Sequence, residues 1–280
     1  MTNPIADPMV EGMDSNDSSG LVGIEATPAG AVTITLRRPE ARNAFNAELI
    51  EALHEAFTTL QGAEGVRVVF LRGEGGTFSA GADLEWMKEA AQRTEADNHD
   101  DALRMALMLK ALWDIPALTV ALVEGGAFGG GAGLAAACDI AVATTAAKFS
   151  FSEVRLGLIA ATISPYVVDA IGPRAARGLF ATGRVFDAAY AEKIGLVTEC
   201  VADSEELIAA RDRISNEMQL AAPGAVGDSK ALVRDVAHKV IDRGLLEETA
   251  RRIARTRVSE EGQEGVSAFL EKRKPVWAQT

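Results

Sequence analysis

Apolar residues recur along this chain at two spacings, alternate positions and helical positions, and the switches between them mark the elements. Val22 and Ile24 open an extended segment that Pro28-Ala29-Gly30 turns back. Val32, Ile34 and Leu36 then alternate with Thr33 and Thr35, which predicts a half-buried strand. Phe45, Leu49, Ile50, Leu53, Phe57 and Leu60 trace one face of a helix that Asn46 can cap. Val66 to Leu71 reads as a strand, and Ala96 to Trp113 as a helix ending before Pro116. Leu118 to Val123 is a short apolar strand that breaks at Glu124 into glycine; Gly129 to Gly131 precede a helix predicted over Leu134 to Cys138. Ile140 to Ala143 reads as a strand, Lys148 to Arg155 as extended, and Val167 to Leu179 as helical. A helix from Ala188 to Lys193 stops at Gly195, and Leu196-Val197 resumes as a strand. Helices alone follow: Leu207 to Leu220, Ala225 to Val240, Leu245 to Val258 and Glu264 to Leu270.

Strands alternating with helices, then helices only, predict an α/β core over residues 21–200 and a C-terminal helical region over 201–280. The amphipathic faces of that region invite packing onto another subunit or onto its own core. Residues 1–20 are acidic and rich in Ser, Asp, Pro and Gly, and are expected to form a disordered tail. They lack the basic start and apolar centre of a signal peptide.

Composition narrows the partners. With 48% hydrophobic and 24% charged residues the chain can build a sizeable core. A formal charge of −12 argues against nucleic acid or an anionic membrane as partner. It leaves room for one phosphorylated ligand held by a local basic cluster. No apolar run is long enough to span a bilayer. Cys138 and Cys200 suggest neither a disulfide framework nor a zinc site, and point to a reducing, cytoplasmic setting. His54 reads as a surface or interface residue and His99 as part of a solvated helix start.

Two glycine-containing loops, each after an apolar strand, carry the candidate chemistry: Ser79-Ala80-Gly81-Ala82-Asp83 and Gly129-Gly130-Gly131. Both put small residues where backbone N–H groups can be reached. Two such donors converging on one oxygen form an oxyanion hole, each worth roughly 3 kcal/mol of transition-state stabilisation. Singly, either loop reads equally as a tight turn or a point of close packing. Their conjunction with Glu153, a carboxylate in an apolar, small-residue region, points to acid–base work on a carbonyl compound. Gly131, Gly133 and Ala136 fit only a relaxed dinucleotide-binding pattern. Neither a Walker sequence nor a G-x-S-x-G elbow is present.

Leu36-Arg37-Arg38-Pro39-Glu40-Ala41-Arg42-Asn43-Ala44, Phe78-Ser79-Ala80-Gly81-Ala82-Asp83-Leu84 and Val123 to Gly131 occur here in order, followed by Cys138-Asp139-Ile140, Phe151 to Gly157 and Phe269 to Pro275. With these segments the chain resembles the enoyl-CoA hydratase/isomerase (crotonase) family from about Val22 to Trp277. The resemblance implies a spiral of ββα units with C-terminal helices that build homotrimers or homohexamers. It implies an acyl-CoA thioester as substrate and no separate cofactor, coenzyme A being part of the substrate. Carried over by position, it makes the N–H groups of Ala80 and Gly130 the oxyanion hole. It puts Ala44, Ser79, Gly81, Ala82, Asp83 and Leu84 with Ala80 around the coenzyme, Arg42 near its phosphates, and Lys272 within reach of it from the tail.

The resemblance also makes Glu153 the second of two glutamates that hydratases of the family place around one water. The first falls at Gly133, which has no carboxylate, and Ala160-Ala161-Thr162-Ile163-Ser164-Pro165 replaces the usual glycine-rich run beyond Glu153. That combination is similar to the bacterial methylglutaconyl-CoA and isohexenylglutaconyl-CoA hydratases. The resulting expectation is hydration of the 2,3 double bond of an acyl-CoA, with 3-methylglutaconyl-CoA as candidate. Glu153 alone can also shuttle a proton between the α and γ carbons, as in a delta-isomerase, and loss of the first glutamate also permits a non-catalytic acyl-CoA binding protein. Asp83 is expected to brace its loop, Glu124 to form a structural ion pair, and Arg155 to meet either a distal substrate carboxylate or a structural partner.

Overall fold

The computed structural model describes residues 15–16 and 19–278. The predicted disordered tail lies largely outside the described residues; within it, Ser15–Asn16 (β1) pairs antiparallel with Gly23 and Ile24. The chain continues through β2 (Val22–Ala26), β3 (Ala31–Leu36), α1 (Ala47–Gln61), β4 (Val68–Gly73), α2 (Leu84–Ala90) and α3 (Glu95–Trp113). Next come β5 (Leu118–Val123), β6 (Gly126–Phe128), α4 (Gly130–Ala136), β7 (Ile140–Thr144), β8 (Lys148–Ser150) and α5 (Ser164–Thr182). A short β9 (Phe186–Asp187), α6 (Ala188–Ile194) and β10 (Glu199–Val201) close the core, and α7 (Ser204–Met218), α8 (Pro223–Val236), α9 (Arg243–Arg257) and α10 (Glu260–Leu270) complete the chain.

The main sheet has the order β1-β2-β3-β4-β5-β7-β10, parallel from β3 onward. A second sheet, β6-β8-β9, extends from short rungs: Phe45 bridges Ala82, and Ser79 bridges Ala127, both in parallel. Each turn of the chain therefore gives one long strand, one short rung and one helix, which is the ββα spiral read from the resemblance.

Alternation along β4 explains the two layers. Val69 and Leu71 join a core shared with α1, α3, α4 and α5, whereas Val68 and Phe70 join a smaller core under α7. Asn46 caps α1 by accepting from the Leu49 N–H, as predicted. Gly195, in the left-handed region, ends α6.

Three predicted elements differ. The helix placed at Leu134 to Cys138 instead runs over Gly130–Ala136, because the glycines themselves start it. Lys148 to Arg155 is not extended throughout: β8 stops at Ser150, and Glu153–Leu156 form a 3₁₀ turn closed by Gly157. The strand expected at Leu196-Val197 lies at Glu199–Val201, where it pairs with β7. Among the described residues no helix is long and apolar enough to cross a membrane.

Candidate active site

The loops after β4 and β5 meet because Gly131 lets α4 approach Ser79 closely; a Cβ there would lie 2.7 Å from the Ser79 side chain. Beneath them Asn43, fully buried and in the left-handed region, ties the first loop down. Its side chain donates to the carbonyls of Glu74 (2.9 Å) and Thr77 (2.7 Å) and accepts from the Arg38 N–H (2.9 Å).

The fate of each N–H in the first loop decides which one can meet a ligand. Ser79 donates to the Gly126 carbonyl, Ala80 to the Arg42 carbonyl at 2.9 Å, and Asp83 to the Phe45 carbonyl at 2.9 Å. The Gly81 N–H donates to Ser79 Oγ at 3.3 Å. Phe45, across the parallel bridge, donates to the Gly81 carbonyl and accepts from the Asp83 N–H, so both bonds pass to the neighbours of Ala82 and the N–H of Ala82 points away from Phe45. It carries no hydrogen bond among the described residues. The Ala80 N–H expected as donor is occupied by the Arg42 carbonyl, and the N–H left free in this loop is that of Ala82, two residues on.

Gly130 supplies the second free N–H. It opens α4, so no preceding turn provides an acceptor. The backbone turns into that position at Gly129, whose φ of 48° and ψ of −118° suit glycine alone. A Cβ on Gly129 would also stand 3.2 Å from Glu153 Oε1. Glu153 thus lies directly over the glycine turn.

These residues border a cleft of about 410 Å³. Ala80, Gly81, Ala82, Leu84, Gly130 and Glu153 line it, with α2 and α3 on one side and the segment from Leu156 to Ile163 on the other. Glu153 Oε2 is shielded from solvent and has no hydrogen-bond partner. Burial lifts the Glu153 carboxyl above the ordinary glutamate range, an effect only partly offset by a hydrogen bond from its own backbone N–H. The cleft therefore holds a carboxylate with one unpartnered oxygen together with two backbone donors that are free among the described residues.

The position of the absent first glutamate is packed shut. A Cβ on Gly133 would fall 2.1 Å from Ile163 Cγ2, and Ile163 is 2% exposed. An aliphatic side chain thus fills the space that a carboxylate at position 133 would need.

Other expected site residues take supporting positions. Asp83 caps α2, accepting from the N–H groups of Glu85 (2.8 Å) and Trp86 (3.4 Å), and pairs with Arg38 at 2.9 Å. Burial pushes its pKa up, but the hydrogen bonds from Arg38, Glu85 and Trp86 outweigh this and leave it below the usual range. Ser79 is buried and donates to the Asn43 carbonyl at 2.8 Å. Ala44 is buried with its carbonyl bound to Arg38. Neither lines the cleft. Arg42 is exposed beside the loop, and Lys272 is exposed on the tail, outside the cleft lining.

The tail is anchored elsewhere: Arg67, just before β4, donates to the Trp277 carbonyl at 3.1 Å, at the opposite end of that strand from the Ser79 loop. Arg155 also lies outside the cleft, its stem within about 3.3 Å of a Cβ built on Gly183. Glu124 accepts from the Ser204 hydroxyl instead of forming the expected ion pair. Cys138 is a buried core residue whose thiol burial pushes up. Sequence reasoning missed Ile163, Trp86 and Arg38, and took Ala82 only as part of the coenzyme loop; the signals for the first three lie in contacts between distant segments.

The enoyl-CoA hydratase/isomerase family model matches residues 26–280. The enoyl-CoA hydratase AKT6-1 of Alternaria alternata is 34% identical over 90% of this chain and 82% of its own length. A solved enoyl-CoA hydratase from Shewanella pealeana superposes with a TM-score of 0.88 at 36% identity, covering 97% of this chain and 99% of that one. AtuE of Pseudomonas aeruginosa gives a TM-score of 0.88 at 36% identity, over 92% and 100% of the two chains.

Proposed function

The chain belongs to the enoyl-CoA hydratase/isomerase family, and from that premise we propose that it hydrates the 2,3 double bond of an acyl-CoA thioester. The observation that carries this reading is the shielded, unpartnered Oε2 of Glu153 in one cleft with the free N–H groups of Ala82 and Gly130. The thioester oxygen accepts from those two donors, and their fixed positions favour the enolate over the ground-state carbonyl. Ionised Glu153 takes a proton from water as the water oxygen bonds to C3. The electron pair of the double bond moves toward the thioester, leaving the negative charge on its oxygen. Protonated Glu153 then returns the proton to C2, so one H and one OH are added and the carboxylate is regenerated. A well-placed group of this kind contributes typically 10²–10⁴-fold. The raised pKa suits a residue that must both take and return a proton.

The relatives' names support hydration. One observation favours a second reading. With Ile163 filling the space beside Gly133, no second carboxylate holds a water, and Glu153 is equipped to move a proton between the α and γ carbons. As to the acyl group, 3-methylglutaconyl-CoA enters on sequence likeness alone. Its distal carboxylate meets no Arg, Lys or His among the cleft-lining residues. Cytoplasmic residence remains an expectation from the two free cysteines.

Crotonyl-CoA, 3-methylglutaconyl-CoA and a 3-enoyl-CoA, each incubated with the protein, test the reading. Loss of the conjugated-thioester absorbance is the expected outcome with at least one 2-enoyl substrate. A gain of that absorbance from the 3-enoyl substrate with no loss from the others would replace hydration by isomerisation. No change with any of them would leave a binding protein.

A further inference from the structure

We propose that the indole N–H of Trp86 determines acyl specificity by donating to an acceptor oxygen carried on the acyl group beyond C3. The inference rests on the acyl-CoA reading of the cleft and adds the chemistry of the substrate's far end. Among the described residues two buried side-chain polar atoms lack a hydrogen-bond partner, Trp86 Nε1 and Glu153 Oε2. Both residues line the same cleft. The reaction at C2 and C3 accounts for Glu153 and leaves Trp86 unexplained.

A shielded donor without a partner is costly in a folded protein, and such groups call for a reason. Two other polar side chains of the cleft are already engaged. Asn98 donates to the Ala90 carbonyl at 2.9 Å, and Asp101 accepts from Arg93 and from Arg104. No Arg, Lys or His lines the cleft; its neutral side-chain donors are the Trp86 indole, the Asn98 amide and the hydroxyls of Ser152 and Thr162, and of these the indole N–H is the one that is shielded and unpartnered. The indole N–H donates only, which restricts it to acceptor oxygens.

Placement fits that task. Trp86 lies in the first turn of α2, four residues after Ala82, and Asp83 caps that turn. A thioester whose oxygen is held at Ala82 shares its cleft with the indole. The ring borders the cleft with its N–H shielded, so donation to an acceptor on a bound acyl group requires the side chain to turn. A carboxylate and a ketone share this acceptor chemistry.

Three saturated thioesters, which cannot be hydrated, separate the cases: pentanoyl-CoA with no acceptor, glutaryl-CoA with a carboxylate, and 5-oxohexanoyl-CoA with a ketone. Titration calorimetry on the wild-type chain is expected to show at least one oxygen-bearing thioester bound roughly fivefold to tenfold tighter than pentanoyl-CoA. Trp86→Phe is expected to erase that preference, bringing the affinity ratio of the oxygen-bearing thioester to pentanoyl-CoA down to about one. In the wild-type chain labelled with ¹⁵N, the Trp86 indole resonance should move downfield with the preferred thioester and not with pentanoyl-CoA, a readout that needs no variant to fold. Equal weakening of all three by Trp86→Phe, or an indole resonance that never moves, overturns the proposal. Binding of all three without preference also overturns it while sparing the acyl-CoA reading. Binding of none overturns both.

Discussion

At the residue scale Glu153 stands apart: its Oε2 is shielded and has no hydrogen-bond partner among the described residues. Glu153→Gln keeps shape and volume but can neither take nor return a proton. Turnover should fall by roughly 10²–10⁴-fold, while calorimetry shows acyl-CoA binding retained; near-normal turnover would remove Glu153 from the mechanism. The raised pKa adds a pH signature. As a base Glu153 must be ionised, so the acidic limb of kcat/KM should lie above the ordinary glutamate value of about 4.3 and vanish in the Gln variant. Stability runs the other way. A carboxyl with its folded pKa raised contributes favourably below its unfolded pKa and loses that contribution as pH rises through the folded value. Glu153→Gln should therefore melt above the wild type near neutral pH, and the gap should close near about pH 4. A melting difference independent of pH would contradict this.

At the scale of elements, the glycine run that leads from β6 into α4 does two jobs at opposite ends of five residues. Gly129 turns the backbone so that the Gly130 N–H is free, and Gly129→Ala should cost about 1–3 kcal/mol besides crowding Glu153. Gly133 accommodates Ile163, which makes the missing glutamate a packing fact as much as a chemical one. Gly133→Glu alone should lower stability by about 1–3 kcal/mol through overpacking, and Ile163→Ala in the same chain should recover part of it. Chemical denaturation of the two single variants and the double variant measures that coupling; additive losses would mean that the two positions do not compete for space.

These elements also show how much could be read in advance. The glycines and Glu153 were legible because φ, close approach and charge are local demands on residue type. Which N–H of the Ser79 to Asp83 loop stays free was not, since it depends on Arg42 and Phe45 from another segment. The 3₁₀ turn at Glu153 escaped for a related reason: an apolar, β-rich run looks extended until the Gly157 cap is seen. Ile163 beside Gly133 is a contact of two distant segments that no periodicity encodes.

For the whole molecule, the core and the C-terminal helices differ in kind. α8 and α9 bury no residue, and α10 buries only Ala268. Leu246, Ile253, Val258, Val266, Phe269 and Leu270 remain exposed, Phe269 at 81%. Exposed apolar side chains of this kind are candidates for burial against another copy, and we propose the homotrimer or homohexamer that the family resemblance implies. Light scattering should give three or six chains per particle, and Phe269→Asp with Leu270→Asp should reduce it to single chains; a monomeric wild type would exclude the assembly. The same surface bears on Lys272, expected at the coenzyme yet outside its own chain's cleft, on a tail anchored at the far end of β4. Both can hold if the lysine that reaches a coenzyme belongs to a neighbouring copy. Lys272→Ala should then raise KM in the assembled protein by roughly fivefold to tenfold, as for loss of a charge-assisted contact, without altering kcat. In the Phe269→Asp, Leu270→Asp background it should change nothing, because no neighbour remains. An equal rise in both backgrounds would assign the contact to the chain's own lysine, and no rise in either would take Lys272 out of the binding site altogether.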